Sequence, residues 1–179
     1  MRKTYLSDDS DEEECKDTHQ KVKILILGDK KVGKSSFIQR ITKGYFTLFY
    51  TPTKNIEIHR QVKIGNMLVS CWEVPSHIKY HFKLQTLEAD VVLLMFDTTR
   101  PYTKQHVTDS WKTMYKQLKT LPYIFVVGVR NPEAPEPEAP EPEAPEAPEA
   151  LGANGIYYID NMSTDGYNHL LYNIYQLVA

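Results

Sequence analysis

The residues best suited to chemistry lie in one run, Gly28-Asp29-Lys30-Lys31-Val32-Gly33-Lys34-Ser35. The spacing G-x-x-x-x-G-K-[ST] is that of a loop whose backbone N–H groups wrap phosphate oxygens. In such a loop Lys34 reaches the outer phosphates, and the Ser35 hydroxyl ligates Mg²⁺. The following Ser36 lies where a helix N-terminus would point at the same anion.

Those side chains need a strand before them and a helix after them. Val22 to Leu27 is a short apolar segment that reads as a buried strand. Ser36 to about Lys43 can continue as a helix, and Gly44 is placed to stop it. An aromatic loop, Tyr45 to Thr53, comes next. Two alternating runs, Asn55 to Ile64 and Met67 to Val74, then face each other across Gly65-Asn66 as a hairpin. Val91 to Phe96 reads as a buried strand ending at Asp97. From Lys104 to Lys119, Val107, Trp111, Met114, Tyr115 and Leu118 recur at helical spacing. Strands at Tyr123 to Gly128 and Gly155 to Ile159 and a helix from Tyr167 to Val178 close the chain. Strands alternating with helices predict an α/β fold, an open sheet with helices on both faces. Ligands in such sheets bind beyond the carboxyl ends of the strands, where the phosphate loop lies.

At 179 residues the chain is long enough for one domain with a sizeable core. Cys15 and Cys71 are its two cysteines, which excludes a disulfide framework and suits a reducing compartment. No signal peptide, membrane span or C-terminal prenylation cysteine is read from the sequence, and no nucleic-acid motif. A monomer in the cytoplasm or nucleus, without a membrane anchor, is expected. The net charge of −2 conceals a partition. Residues 1–20 hold seven acidic and three basic side chains, and residues 131–151 hold seven glutamates and no basic residue. The remainder holds nine acidic and eighteen basic residues, a net of +9. Such a body suits an acidic partner or its own tails, and equally an ordinary solvated surface. Residues 1–20 read as a disordered acidic tail, in which Ser10 before acidic residues suits an acid-directed kinase. The Pro-Glu-Ala run holds seven of the eleven prolines and interrupts the domain where a helix is expected. Proline lacks the amide donor and fixes φ, so this run reads as an extended loop.

Over residues 21–179 the order of elements resembles the Ras superfamily of small G proteins, with the Ran family as the nearest likeness and Rab second. Four stretches carry the resemblance: the phosphate loop, Tyr50-Thr51-Pro52-Thr53-Lys54-Asn55-Ile56-Glu57-Ile58-His59, Met95-Phe96-Asp97-Thr98-Thr99 with Val107 and Trp111, and Tyr157-Tyr158 with Tyr167-Asn168. It implies the P-loop NTPase small-G-protein fold, with a mostly parallel six-stranded sheet. It also implies Mg²⁺ with GTP or GDP, and protein partners engaged through the switch I region. By position it assigns Gly28, Asp29, Lys30, Lys31, Val32, Gly33, Lys34, Ser35 and Ser36 to the phosphates. Ser35 and Thr53 fall to the metal, and Phe46 to the base. Phe46 and Tyr50 read as well as ordinary loop–core packing.

The departures bear on turnover. Where the family has Trp-Asp-Thr-Ala-Gly-Gln, this chain has Trp72-Glu73-Val74-Pro75-Ser76-His77. Glu73 is longer by a methylene, so its carboxylate is not expected to take the family aspartate's place beside a metal-bound water. Ser76 puts a Cβ where the family's glycine swings toward the γ-phosphate, directly after Pro75. His77 stands where a glutamine orients the attacking water, a role a neutral histidine could fill, though a surface-loop histidine reads as well. Lys30 adds charge that favours phosphate and bulk that crowds the γ-phosphate. The guanine-reading Asn-Lys-x-Asp is replaced by Val129-Arg130-Asn131-Pro132, with Glu133 adjacent, and Asn161-Met162-Ser163 replaces the second base loop. Three readings follow: a phosphate- and Mg²⁺-binding protein with poor or absent hydrolysis that acts through partners, in a nucleocytoplasmic transport setting; a slow GTPase; and a nucleotide-free interaction module.

Overall fold

The computed structural model describes residues 20–45, 51–64, 66–77, 88–116, 118, 120–130, 152–163 and 165–178. Its elements are β1 (Gln20–Gly28), α1 (Lys34–Lys43), β2 (Glu57–Ile64), β3 (Met67–Glu73), β4 (Val91–Asp97), α2 (Pro101–Tyr115), β5 (Tyr123–Arg130), β6 (Gly155–Asp160) and α3 (Tyr167–Val178). The six strands form one sheet in the order β2-β3-β1-β4-β5-β6. Only the β2–β3 hairpin is antiparallel; the remaining neighbours are parallel.

The alternation of side chains along each strand divides the core into two layers. Ile24, Ile26, Leu93, Met95, Phe125 and Val127 face α1 and α3, packing with Phe37, Ile38, Leu170 and Ile174. Leu25, Leu27, Leu94, Phe96, Ile124 and Val126 face the other way, against Val107, Trp111 and Met114 of α2. β4 is buried throughout, as a central parallel strand covered on both faces must be. The predicted α/β sheet with helices on both faces is the observed architecture.

Several boundaries move, each for a backbone reason. Gln20, placed in the acidic tail, already pairs with Met67, and its side-chain amide donates to the carbonyl of Val178. Ladder pairing uses main-chain groups, so polar residues can begin a strand. The first hairpin strand starts at Glu57 rather than Asn55 and carries a register shift between His59 and Val62. β5 runs on to Arg130 and β6 to Asp160 because these two residues pair with each other. α2 begins at Pro101 instead of Lys104, since proline suits the first helical turn, where its missing donor is not needed. It ends at Tyr115 rather than Lys119, and a tight turn from the Leu118 N–H to the Tyr115 carbonyl (3.3 Å) follows. Leu118 still packs on the α2 layer. α1 ends as expected, with Gly44 left-handed at φ 73° and its N–H bonded to the Arg40 carbonyl. The rest of the acidic tail, Phe46 to Tyr50 and residues 131–151 lie outside the described residues.

Candidate functional site

The loop between β1 and α1 is shaped by its own sequence. Gly28 has φ 150°, and a Cβ there would collide with the Met95 carbonyl of the neighbouring strand. Gly33 has φ 97°, and a Cβ would come within 2.8 Å of Asn161 Nδ2 and 3.1 Å of Val129 Cγ1. Lys31 holds φ 63° without being glycine, a conformation uncommon for a side-chain-bearing residue. Its carbonyl accepts a hydrogen bond from Arg100 Nη2 at 2.8 Å, and Arg100 is fixed by Asp97 at 2.8 Å. Asp29 Oδ2 meets His106 Nδ1 at 3.0 Å. Two groups at the carboxyl end of β4 and on α2 therefore brace the loop from outside.

Lys34 is buried, and its ammonium donates to the carbonyls of Gly28 and Asp29, both at 2.9 Å. Burial lowers its pKa from the usual lysine value, opposed by the charges of Glu73 and Asp29. A partly desolvated cation at a helix N-terminus gains from an incoming anion. Lys30 and Lys31 are exposed, Val32 is buried in the core, and Ser36 is half-buried in the first turn of α1.

Ser35 and Thr53 come together as expected, with their hydroxyl oxygens 3.3 Å apart. Glu73 reaches both. Its Oε1 accepts from Ser35 at 2.7 Å and from Thr53 at 3.0 Å. The extra methylene thus places the carboxylate directly on the hydroxyl pair. Two hydroxyls and a carboxylate form the hard oxygen set that Mg²⁺ prefers, so the residues present fit that ion. His77 is exposed and Ser76 half-buried, after a buried Pro75.

A second cluster lies on the side of the phosphate loop where the resemblance places the base. Val129, at the place of a reading asparagine, lies against Gly33, and Arg130 is exposed at the end of β5. Asn161 is buried, and its Oδ1 accepts from Tyr167 Oη at 2.6 Å, while Tyr167 stacks on Phe37 with centroids 5.4 Å apart. Arg40 Nη2 donates to the carbonyls of Asn161 (2.9 Å), Met162 (2.6 Å) and Ser163 (3.3 Å). Burial raises the Tyr167 phenol pKa well above its usual value. Phe46 and Glu133 lie outside the described residues. Sequence reasoning missed Arg40, Arg100 and His106, which act across the fold and carry no local motif. The departure at Asn161 is legible in the sequence, whereas its seat against Gly33 of the phosphate loop is set by the fold.

Among the described residues no helix is long and apolar enough to cross a membrane. The profile of the Roc family, described as Ras of Complex, Roc, domain of DAPkinase, matches residues 23–131. The chain is 37% identical over 117 residues to Ras-related protein RabV of Dictyostelium discoideum, covering 62% of this chain and 50% of that protein. It is 27% identical over 116 residues to the human Rho-related GTP-binding protein RhoE, covering 62% and 47% of the two chains. It is 29% identical over 115 residues to the human RhoD protein, covering 62% and 54%. The chain spans about half the length of these curated relatives. A braced phosphate loop at the carboxyl edge of a mostly parallel sheet, and a family profile covering most of that sheet, lead to one conclusion: this chain belongs to the Roc family of the Ras superfamily.

Proposed function

We propose that this domain binds GTP or GDP phosphates with Mg²⁺, turns them over poorly or not at all, and acts by presenting its switch I segment to protein partners. The observation that carries this reading is the shared acceptor Glu73 Oε1, which ties Thr53 to Ser35 within the chain. In the family resemblance Thr53 is drawn in by metal and γ-phosphate. Here a carboxylate already holds it, so the partner-facing segment depends less on the state of the nucleotide. Lys34 would take the outer phosphates, while Ser35 and Thr53 would hold Mg²⁺, whose chemistry is to neutralise phosphate charge. The exposed His77 and the Cβ of Ser76 argue against ordinary water positioning. Pro132, standing where the family has the aspartate that accepts from guanine, argues against strong guanine reading, because a site without its hydrogen-bond acceptor loses discrimination.

A transport setting in cytoplasm or nucleus rests on the Tyr50 to His59 likeness to Ran. The Rab- and Rho-related relatives support the superfamily and not that branch. The same Glu73 contact favours a second reading, a nucleotide-free interaction module, because the carboxylate satisfies both hydroxyls without a metal. The test is to denature the purified protein, separate the released nucleotide by chromatography, and titrate GTP, GDP and ATP with Mg²⁺ by calorimetry. Retained, unhydrolysed GTP is the expected result. GDP alone would indicate a working, slow GTPase. Absence of nucleotide, together with no heat on titration, would overturn the proposal in favour of the module.

A further inference from the structure

The β2–β3 hairpin carries a second donor set beside the phosphate site. In its antiparallel register Glu57 stands opposite Glu73, and His59 stands opposite Cys71. Opposed residues share a face, and residues two apart on one strand share it too. Glu57, His59 and Glu73 therefore converge, with one donor atom from each lying within 4.8 Å of the others. His59 Nε2 is 3.7 Å from Glu57 Oε2. Glu73 is 2% exposed. Among the described residues, Glu73 Oε2 and His59 Nε2 are both buried without a hydrogen-bond partner. A buried carboxylate oxygen and ring nitrogen left unpaired are costly, and a second carboxylate beside them adds repulsion. A cation removes both penalties.

We propose that Glu57, His59 and Glu73 form a site for a first-row divalent ion, best matched by Zn²⁺ and separate from the Mg²⁺ position at Ser35 and Thr53. One imidazole with two carboxylates suits zinc better than magnesium, which favours oxygen ligands alone. A tetrahedral ion with bonds of about 2.1 Å spaces its donors about 3.4 Å apart. From separations of up to 4.8 Å the cluster needs to contract by at most about 1.4 Å, and the exposed Glu57 side chain on an edge strand can supply that movement. Glu73 would then serve two sites, with Oε1 on the hydroxyl pair and Oε2 on the ion. Zinc would stiffen the carboxylate that holds Thr53.

The experiment uses the full chain, stripped by chelator and dialysed against Zn²⁺ in excess Mg²⁺. One zinc per chain is expected, with affinity falling at least about tenfold in His59→Ala and in Glu57→Gln and unchanged in His169→Ala. Zinc addition should also slow amide exchange at residues 51–55. Should the hairpin variants fail to fold, histidine-ring NMR of the unaltered chain gives the answer, because zinc must shift the His59 resonances and leave those of His169. Zinc binding retained in both hairpin variants would overturn the proposal. So would unmoved His59 resonances, no retained zinc, or a Co²⁺ spectrum showing thiolate ligation.

Discussion

Glu73 accepts from Ser35 and Thr53 at 2.7 and 3.0 Å, a reach that an aspartate on the same strand position would lack by one methylene. Replacing it by alanine strands both hydroxyls in a half-buried pocket. Glu73→Ala is expected to lower stability by about 1–3 kcal/mol in chemical denaturation. It should also raise amide exchange at residues 51–55, whereas a side chain that merely fills space would leave exchange there unchanged. Lys34 gives a test with a definite sign. Its folded pKa lies below the usual 10.5 because burial penalises the ammonium, against the pull of Glu73 and Asp29. The unfolded chain therefore binds that proton more tightly, so stability rises as pH climbs from the folded pKa toward 10.5. Cys71 works in the opposite direction, because burial pushes its thiol from 9.0 up to about 12 and stability falls across that interval. The Lys34 contribution is thus the difference between wild type and Lys34→Met, measured on nucleotide-free protein. That variant is expected to be no less stable at neutral pH and to lack the alkaline rise. Its phosphate affinity should fall by about tenfold or more, the loss expected for a hydrogen bond to a charged group.

Among the elements, the apolar strands were legible in the sequence because runs that are short, rich in β-branched residues and leucine, and bounded by breakers suit buried strands better than helices. Their ends were less so. Arg130 and Asp160 join the sheet through pairing between strands distant in sequence, and no local pattern announces that. The apolar periodicity puts the α2 start near Lys104, whereas proline at the first helical turn accounts for the observed start at Pro101. Gly128 shows the closeness of β5 to its neighbours. A Cβ there would lie 2.7 Å from a Tyr158 ring atom and 2.8 Å from Phe96 Cζ. Gly128→Ala is expected to cost about 1–3 kcal/mol through overpacking, with the loss visible in the thermal midpoint. Because Phe96 is nearly buried and Tyr158 is exposed, a Tyr158→Ala background should recover part of that loss. Failure to recover would place the strain in the backbone instead.

For the whole molecule, the connection from β5 to β6 is a length problem more than a sequence problem. The two strands are parallel neighbours, so residues 131–154 must return from one end of the sheet to the other. A parallel crossover needs about a dozen residues. Deleting residues 133–144 halves this connection and removes four of the prolines. Loop closure changes by about 0.6 kcal/mol per halving, so the shortened chain should unfold in urea within about 1 kcal/mol of the parent, slightly more stable. A larger loss would show that the Pro-Glu-Ala run contributes contacts to the domain. Phosphate and Mg²⁺ affinity should be the same in both chains, since the phosphate loop is braced by Arg100 and His106, outside the deleted run.

The phosphate-loop motif and the alternation of strands and helices were determined by residue order alone, because each depends on neighbours within a few positions. Glycine freedom at Gly28 and Gly33, the lysine–serine pair and apolar periodicity are local properties. Only the tertiary structure decided which distant side chains meet beside that loop. Glu73 reaches Ser35 and Thr53 because parallel pairing sets β3 beside β1, with Ile26 level with Glu73. Arg40 and Tyr167 hold Asn161 against the loop because α1 and α3 share one face of the sheet. Glu57 meets His59 and Glu73 through hairpin register. Such contacts join residues far apart in the chain, so their chemistry is specified by packing geometry and not by any run of letters.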